Sequence, residues 1–413
     1  MNRQRCTVLL LALTLLPASH ALAETVAVKG QTVYPVASPP IENGVVVIED
    51  GKITAVGPAA EIAIPADARV LEAAVVTPGL VDAHSTVGLS GIYNGALDRD
   101  QRRTRVLDQD QLERSDPIQP QLRAIDAYNA REPLVAWIRS YGVTTVHTGH
   151  GPGALVSGQT MIVKTRGETA EEAVLRPEAM VAFTLGPEVE RNFDSPGTRA
   201  KGVALLRQAF LEARAYLESL DRPKPVTRNL KLETLGRVLR GEQPALITAQ
   251  GTTEIQAALR LAREFGFRLV LDGVAEGYQM IDEIRAAQVP VIVHPTMIRP
   301  SGDTRDFTFE NIALLRRAGI PAVLQSGHES YVPKVRIVLL EAAMALAYGL
   351  PFDDALAAIT LDAARLLDID DRVGSLEVGK DGDLVLFDGD PFEFTSHVCT
   401  VLIDGEVVSE QCR

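Results

Sequence analysis

The sequence predicts an α/β protein: a closed (β/α)8 barrel with a small β domain assembled from the two chain ends. Three observations carry this. The middle of the chain alternates short apolar runs with helical patterns, as repeated βα units do. Several runs, such as Val289-Pro290-Val291-Ile292-Val293, are continuously apolar, the pattern of parallel strands covered by helices. Both ends have a different texture, with short β-type runs divided by turns. At 413 residues, the chain suits one large domain with a smaller companion.

The elements follow in order. Met1-Asn2-Arg3-Gln4-Arg5, an apolar run from Val8 to Leu16 and then Ala21-Leu22-Ala23 have the layout of a secretory signal cut after Ala23. The protein is therefore expected to be exported, to the periplasm or the medium. The apolar run is too short to span a bilayer and Cys6 precedes it, so no membrane anchor is expected. Asp50-Gly51 between Val45-Val46-Val47-Ile48 and Ile53-Thr54-Ala55-Val56 predicts a hairpin. Eight barrel strands are expected near 75–82, 143–148, 160–165, 180–185, 244–250, 268–274, 289–295 and 320–327. An open doubly wound sheet is the competing architecture, but no glycine-rich phosphate fingerprint follows the first strand.

Helices are expected from Thr253-Glu254 to Phe265 and from Pro333 to Gly349. Insertions run from Val87 to about Arg131, either a lid over the barrel mouth or solvated packing, and from Gly186 to about Gln243, with an amphipathic helix near Val203–Leu220. Asp383-Leu384-Val385-Leu386-Phe387 and the Asp404-Gly405 hairpin close the chain. The boundaries expected are a signal at 1–23, a composite β domain from 24–74 and 372–413, and a barrel over 75–371.

A formal net charge of -13, with no basic stripe, argues against a nucleic-acid partner. After the signal only Cys399 and Cys412 remain, and an oxidising compartment favours a bridge between them. Counting outward from the Asp404-Gly405 turn places them diagonally, with Cβ atoms about 7–8 Å apart. A bulge or a fold-back of the terminus must then bring them together.

Two motifs carry a family resemblance. Pro78-Gly79-Leu80-Val81-Asp82-Ala83-His84-Ser85-Thr86 resembles the first-strand motif of the amidohydrolase superfamily. Ile359-Thr360-Leu361-Asp362-Ala363-Ala364-Arg365-Leu366-Leu367, followed by the stretch from Arg372 to Val385, resembles its C-terminal signature. The branch is similar to imidazolonepropionase-like amidohydrolases. The resemblance implies a (β/α)8 TIM barrel, a small β-sandwich from the two ends, and metal-assisted hydrolysis of C–N bonds in amides or cyclic amides. It also implies metal ligands: paired histidines on strand one, often a carboxylated lysine on strand four, histidines on strands five and six, and an aspartate after strand eight. Such a cluster lowers the pKa of a bound water.

This chain departs from that set. Thr86 replaces the second histidine of strand one, and threonine is a poor zinc ligand. Val181-Ala182-Phe183-Thr184-Leu185 has no lysine, and Ala245-Leu246-Ile247-Thr248-Ala249-Gln250 has no histidine. Asp272 stands where strand six would carry histidine, and Ser326 near the place of the strand-eight aspartate.

A dinuclear centre is therefore not expected; the cofactor is one divalent metal such as zinc, or none. His84, His147, Asp272 and His328 are its candidate ligands, and His150, Gln250, His294 and Ser326 are candidates for contacts to substrate. The histidines all follow predicted strand ends, which line a barrel's mouth. They could equally bond loop backbone. Asp272 with Glu276 could bind a cation or cap a helix from Ala275, and Lys164 reads as a rim lysine. No Gly-x-Ser-x-Gly elbow supports a serine hydrolase.

Two functions remain open. One is an amidohydrolase with an altered, at most mononuclear site. The other is a catalytically silent barrel that binds a small molecule, or partners an active paralogue or a second copy of itself.

Overall fold

The computed structural model describes residues 25–89, 110–220, 222, 227–294, 296, 300–327 and 338–412. The expected signal, much of the first insertion, His328 and the start of the helix expected from Pro333 lie outside the described residues.

The two chain ends form one seven-stranded sheet. Val26–Val33 pairs antiparallel with Ile41–Glu49 and parallel with Arg69–Pro78, which pairs antiparallel with Leu384–Phe387. Lys52–Pro58 and Glu406–Ser409 are its edges. The hydrogen bonds make one continuous sheet rather than two separate ones, because Arg69–Pro78 pairs with both terminal segments. Each predicted Asp-Gly turn is present: Asp50 and Gly51 have φ of 49° and 76°, and Asp404 and Gly405 of 50° and 75°, the two positive values a type I′ hairpin needs.

The strand expected at 75–82 is two strands. Arg69–Pro78 belongs to the terminal sheet, and the barrel begins with Leu80–Ser85. Between them Gly79 passes so close to the second barrel strand that a Cβ would lie 2.1 Å from Thr144 Oγ1.

The barrel ring runs through Leu80–Ser85, Val143–Thr148, the segment 156–164, Val181–Thr184, Ala245–Ala249, Leu269–Gly273, Val291–Val293 and Ala322–Leu324. A parallel bridge from Ser85 to Gly327 joins its last strand to its first. Seven of these strands are parallel, and the third is not. Val156–Gln159 pairs antiparallel with Val181–Thr184, and Met161–Lys164 pairs antiparallel with Val143–Thr148. The ring therefore differs from the eight parallel strands expected from the sequence. The connection 149–155 is shorter than the dozen or so residues that a parallel crossover requires, so the chain must turn straight back.

Leu246, Val270, Ile292 and Val323 of four successive strands meet Ala363, Ala364 and Leu367 in one core cluster. Residues two further along share the same face, since side chains alternate along a strand. Those positions are Thr248, Asp272, His294 and Gln325, so one inner stripe changes from apolar to polar toward the C-terminal strand ends. The helix Thr252–Phe265 covers the outside with Ile255, Ala258, Leu261 and Phe265, and ends at Gly266 with φ 77°.

Lys164 is not a rim lysine. Because its strand runs backward, its C-terminal end lies at the opposite end from the mouth, beside the terminal sheet. There Lys164, 3 % exposed, meets Asp381 at 2.7 Å, Asp383 at 2.9 Å and Asp404. Asp381 also takes Lys52 and Arg372, and Asp404 takes Arg166. Burial raises the Asp381 carboxyl, but bonds from Arg372, Lys164 and Lys52 outweigh it and hold the pKa at about 2. Among the described residues Asp383 pairs with one cation, Lys164, and burial pushes it up to about 6.

Cys399 and Cys412 are bridged, with Cα atoms 3.8 Å apart. A register shift between Val401 and Leu402 supplies the bulge that simple hairpin counting required.

Replacing Lys164 with Met leaves Asp383 buried with the Asp404 N–H but without its cation, and should lower unfolding stability by about 3–5 kcal/mol in denaturant titrations. Asp383 has a raised folded-state pKa, so its stabilising protonation is available below about 6 and lost as pH rises through that value. The variant's deficit should accordingly be larger at pH 8 than at pH 5. The depressed Asp381 acts oppositely: its contribution is present above its ordinary pKa of 3.8 and lost as pH falls through about 2.

Reducing the disulfide should cost roughly 2–3 kcal/mol, given the short loop it closes. Alkylation of the unreduced mature protein should label neither cysteine.

Candidate functional site

The polar end of the inner stripe is organised around two buried carboxylates. Asp82 and His84 sit two residues apart on the first barrel strand, Thr248 and Asp272 are partners in register on neighbouring parallel strands, and Gln325 and Ser326 follow the last. All six except Thr248, 5 % exposed, are no more than 2 % exposed.

His84 Nδ1 lies 3.1 Å from Asp272 Oδ1. Thr248 Oγ1 donates to Asp272 Oδ2 at 2.5 Å, and Gln325 Nε2 donates to Oδ1 at 2.5 Å. On the other side Asp82 accepts from the Ser326 backbone N–H at 3.1 Å, from the Ser326 hydroxyl, and from the His84 N–H at 3.4 Å. Burial raises the Asp82 carboxyl to about 6 against these bonds, which pull the other way.

The His84 ring has a defined orientation. With the Nδ1 proton directed at Asp272, the neutral ring carries its lone pair on Nε2. That nitrogen is buried and has no partner among the described residues.

His147 is 5.5 Å from His84, centroid to centroid, yet both its nitrogens are used. Nδ1 donates to the Ala83 carbonyl at 2.7 Å, so Nε2 accepts from the Thr160 hydroxyl at 2.6 Å. Burial, reinforced by neighbouring His84, lowers its pKa to about 3, so the ring is neutral.

The remaining candidates are dispersed. His150 bonds the Asp110 carbonyl through Nδ1 at 2.7 Å, and burial lowers its pKa. Gln250 serves the loop after its neighbouring strand, with Oε1 accepting from the Ala275 N–H at 3.1 Å. His294 is buried after its strand, its N–H on the Gly273 carbonyl at 2.9 Å.

Asp272 does not cap a helix. The segment after it is a short 3-10 turn, Gly277–Gln279, followed by Ile281–Ala287, whose first-turn N–H groups it does not serve. Glu276 Oε2 instead accepts from the Thr252 N–H at 2.8 Å, across to the neighbouring helix.

Among the described residues, these groups as placed do not bring three protein ligands to one metal. His84 offers one free nitrogen, His147 offers none, and Asp272 already accepts from three donors. Among the described residues no group of three or more His, Cys, Asp or Glu side chains is arranged to hold a metal ion.

Sequence reasoning missed four participants. Asp82, Thr248 and Gln325 stood within quoted strands but were passed over because they are not family ligands. Strand alternation was the signal, since it places Asp82 with His84 and sets Thr248 on the face of Asp272. Thr160 had no such signal, because its role depends on the antiparallel turn.

Substituting Thr160 with Val leaves His147 Nε2 buried and unpaired. Stability should fall by about 1–3 kcal/mol in urea titrations.

Comparison with known proteins places this geometry in context. A model described as the amidohydrolase family matches residues 319–408. A solved amidohydrolase structure from Thermotoga maritima MSB8 superposes with a TM-score of 0.85 at 30% identity, covering 94% of this chain and 100% of that one. Imidazolonepropionase of Mesorhizobium japonicum is 25% identical over 376 residues, covering 84% of this chain and 87% of that protein. Amidohydrolase tasK of Hapsidospora irregularis is 26% identical over 404 residues, which are 88% of this chain; the chain spans 39% of that longer protein.

Proposed function

The chain belongs to the amidohydrolase family, and on that premise we propose that it hydrolyses C–N bonds of amides or cyclic amides through an altered site with at most one metal. The observation that carries this reading is the free Nε2 of His84, in a ring whose tautomer Asp272 fixes. A water bonded to that lone pair could lose a proton to Nε2 as its oxygen adds to the amide carbonyl carbon. The C–N bond then breaks, and the proton passes from the imidazolium to the departing nitrogen. Asp272 orients the ring and stabilises it while it is charged.

A second reading, a catalytically silent barrel, is favoured by one specific observation. His147, Asp272 and Asp82 are satisfied by His84, by backbone groups and by neighbouring hydroxyl and amide groups, as in a structural network. In that case the His84 lone pair would accept an N–H from a bound small molecule, and the protein would act by binding, with an active paralogue or a second copy as its partner.

The leader-like N-terminus supports export to the periplasm or medium in either case. Among the described residues no helix is long and apolar enough to cross a membrane.

Turnover separates the two readings. Purified mature protein should hydrolyse some member of a panel of amides and cyclic amides, beginning with imidazolonepropionate, the compound for which several relatives are named. His84→Ala should lower kcat by about 10²–10⁴-fold, the usual worth of a general base. Binding of a panel member without turnover by the wild type, weakened in His84→Ala, would establish the silent barrel.

A further inference from the structure

Two carboxylates buried on one barrel axis need either a cation or a full set of hydrogen-bond donors, because an uncompensated buried charge is strongly destabilising. Asp82 and Asp272 are 0 % and 1 % exposed. An ionised carboxylate has about four acceptor positions. Asp272 receives the ring N–H of His84, the hydroxyl of Thr248 and the amide of Gln325. Asp82 receives the backbone N–H and hydroxyl of Ser326 and the backbone N–H of His84.

These donors come from the first, fifth and last strands of the ring, so closing the barrel assembles them. The orientation of Gln325 follows from its partner, since only the NH2 end of an amide can donate to a carboxylate. A metal approaching Asp272 would meet oxygens whose lone pairs are already directed at three donors, beside a histidine whose nearer nitrogen is committed.

We infer that Thr248, Gln325 and Ser326 take the structural place of a metal ion in this chain, so that the barrel axis is assembled and held by its own hydrogen-bond donors. The inference goes beyond the hydrolase reading and does not depend on it. Turnover can be present or absent without moving the measurements below.

Mature protein purified without a histidine tag should contain no stoichiometric transition metal. Its Tm should be the same with chelator and with added zinc, because a ligand that binds only the native state raises Tm. Stoichiometric metal, or a zinc-dependent rise in wild-type Tm, would overturn the inference.

Gln325→Glu tests the donor itself. It exchanges a donor for a third carboxylate beside Asp272 and His84, which should lower Tm in chelator and let added zinc restore it. A variant whose Tm in chelator equals that of wild type would show that the Gln325 donor is not needed, and would also overturn the inference. Where the variant fails to fold, the wild-type metal content and zinc titration still decide the matter.

Discussion

Lys164 joins the two halves of the molecule. Its ammonium, buried at the lower end of the barrel, is shared by Asp381 and Asp383 from the stretch leading into the terminal sheet and by Asp404 from that sheet's last hairpin. A buried cation among carboxylates holds geometry more firmly than it adds net stability, since removing any partner leaves charge without compensation. The arrangement exists because one barrel strand runs backward. A parallel third strand would have carried the lysine to the mouth, away from all three carboxylates.

The opposite end of the barrel meets the same constraint with different chemistry. Asp82 and Asp272 are as deeply buried as Asp383, but no lysine or arginine reaches them among the described residues. Hydroxyl, amide, imidazole and backbone N–H groups satisfy them instead. The barrel thus has an ionic lower end that fixes the terminal sheet, and a neutral-donor upper end where, among the described residues, His84 Nε2 has no hydrogen-bond partner.

The order of elements was legible in the sequence, because hydrophobic period and turn chemistry are local. The Asp50-Gly51 and Asp404-Gly405 hairpins, the helix Thr252–Phe265 and six of the eight ring strands lie close to where composition and pattern put them. The two strands that differ do so through non-local causes. Pro78-Gly79 divides an apparently continuous run between two sheets, and a connection too short for a helix reverses the third strand. In the site, His84 was legible from its motif. The partners of Asp272 were not, because neither a threonine on the neighbouring strand nor a glutamine after a strand two places away shows, in its own segment, that this carboxylate will need its proton.

By itself, then, the sequence determined that this is a barrel of βα units with a β domain from both ends, and that the first barrel strand delivers an imidazole to the mouth. It also shows Thr86 where the family resemblance implies a second histidine on strand one. Tertiary structure alone decided that Lys164 is a buried joint rather than a rim charge, that His147 is fully committed while His84 Nε2 has no partner among the described residues, and that Cys399 reaches Cys412 across a bulge. The reason is physical. Periodicity and motif are encoded along the chain, whereas the compensation of a buried charge or lone pair depends on which distant strands the closed ring brings within about 3 Å of it.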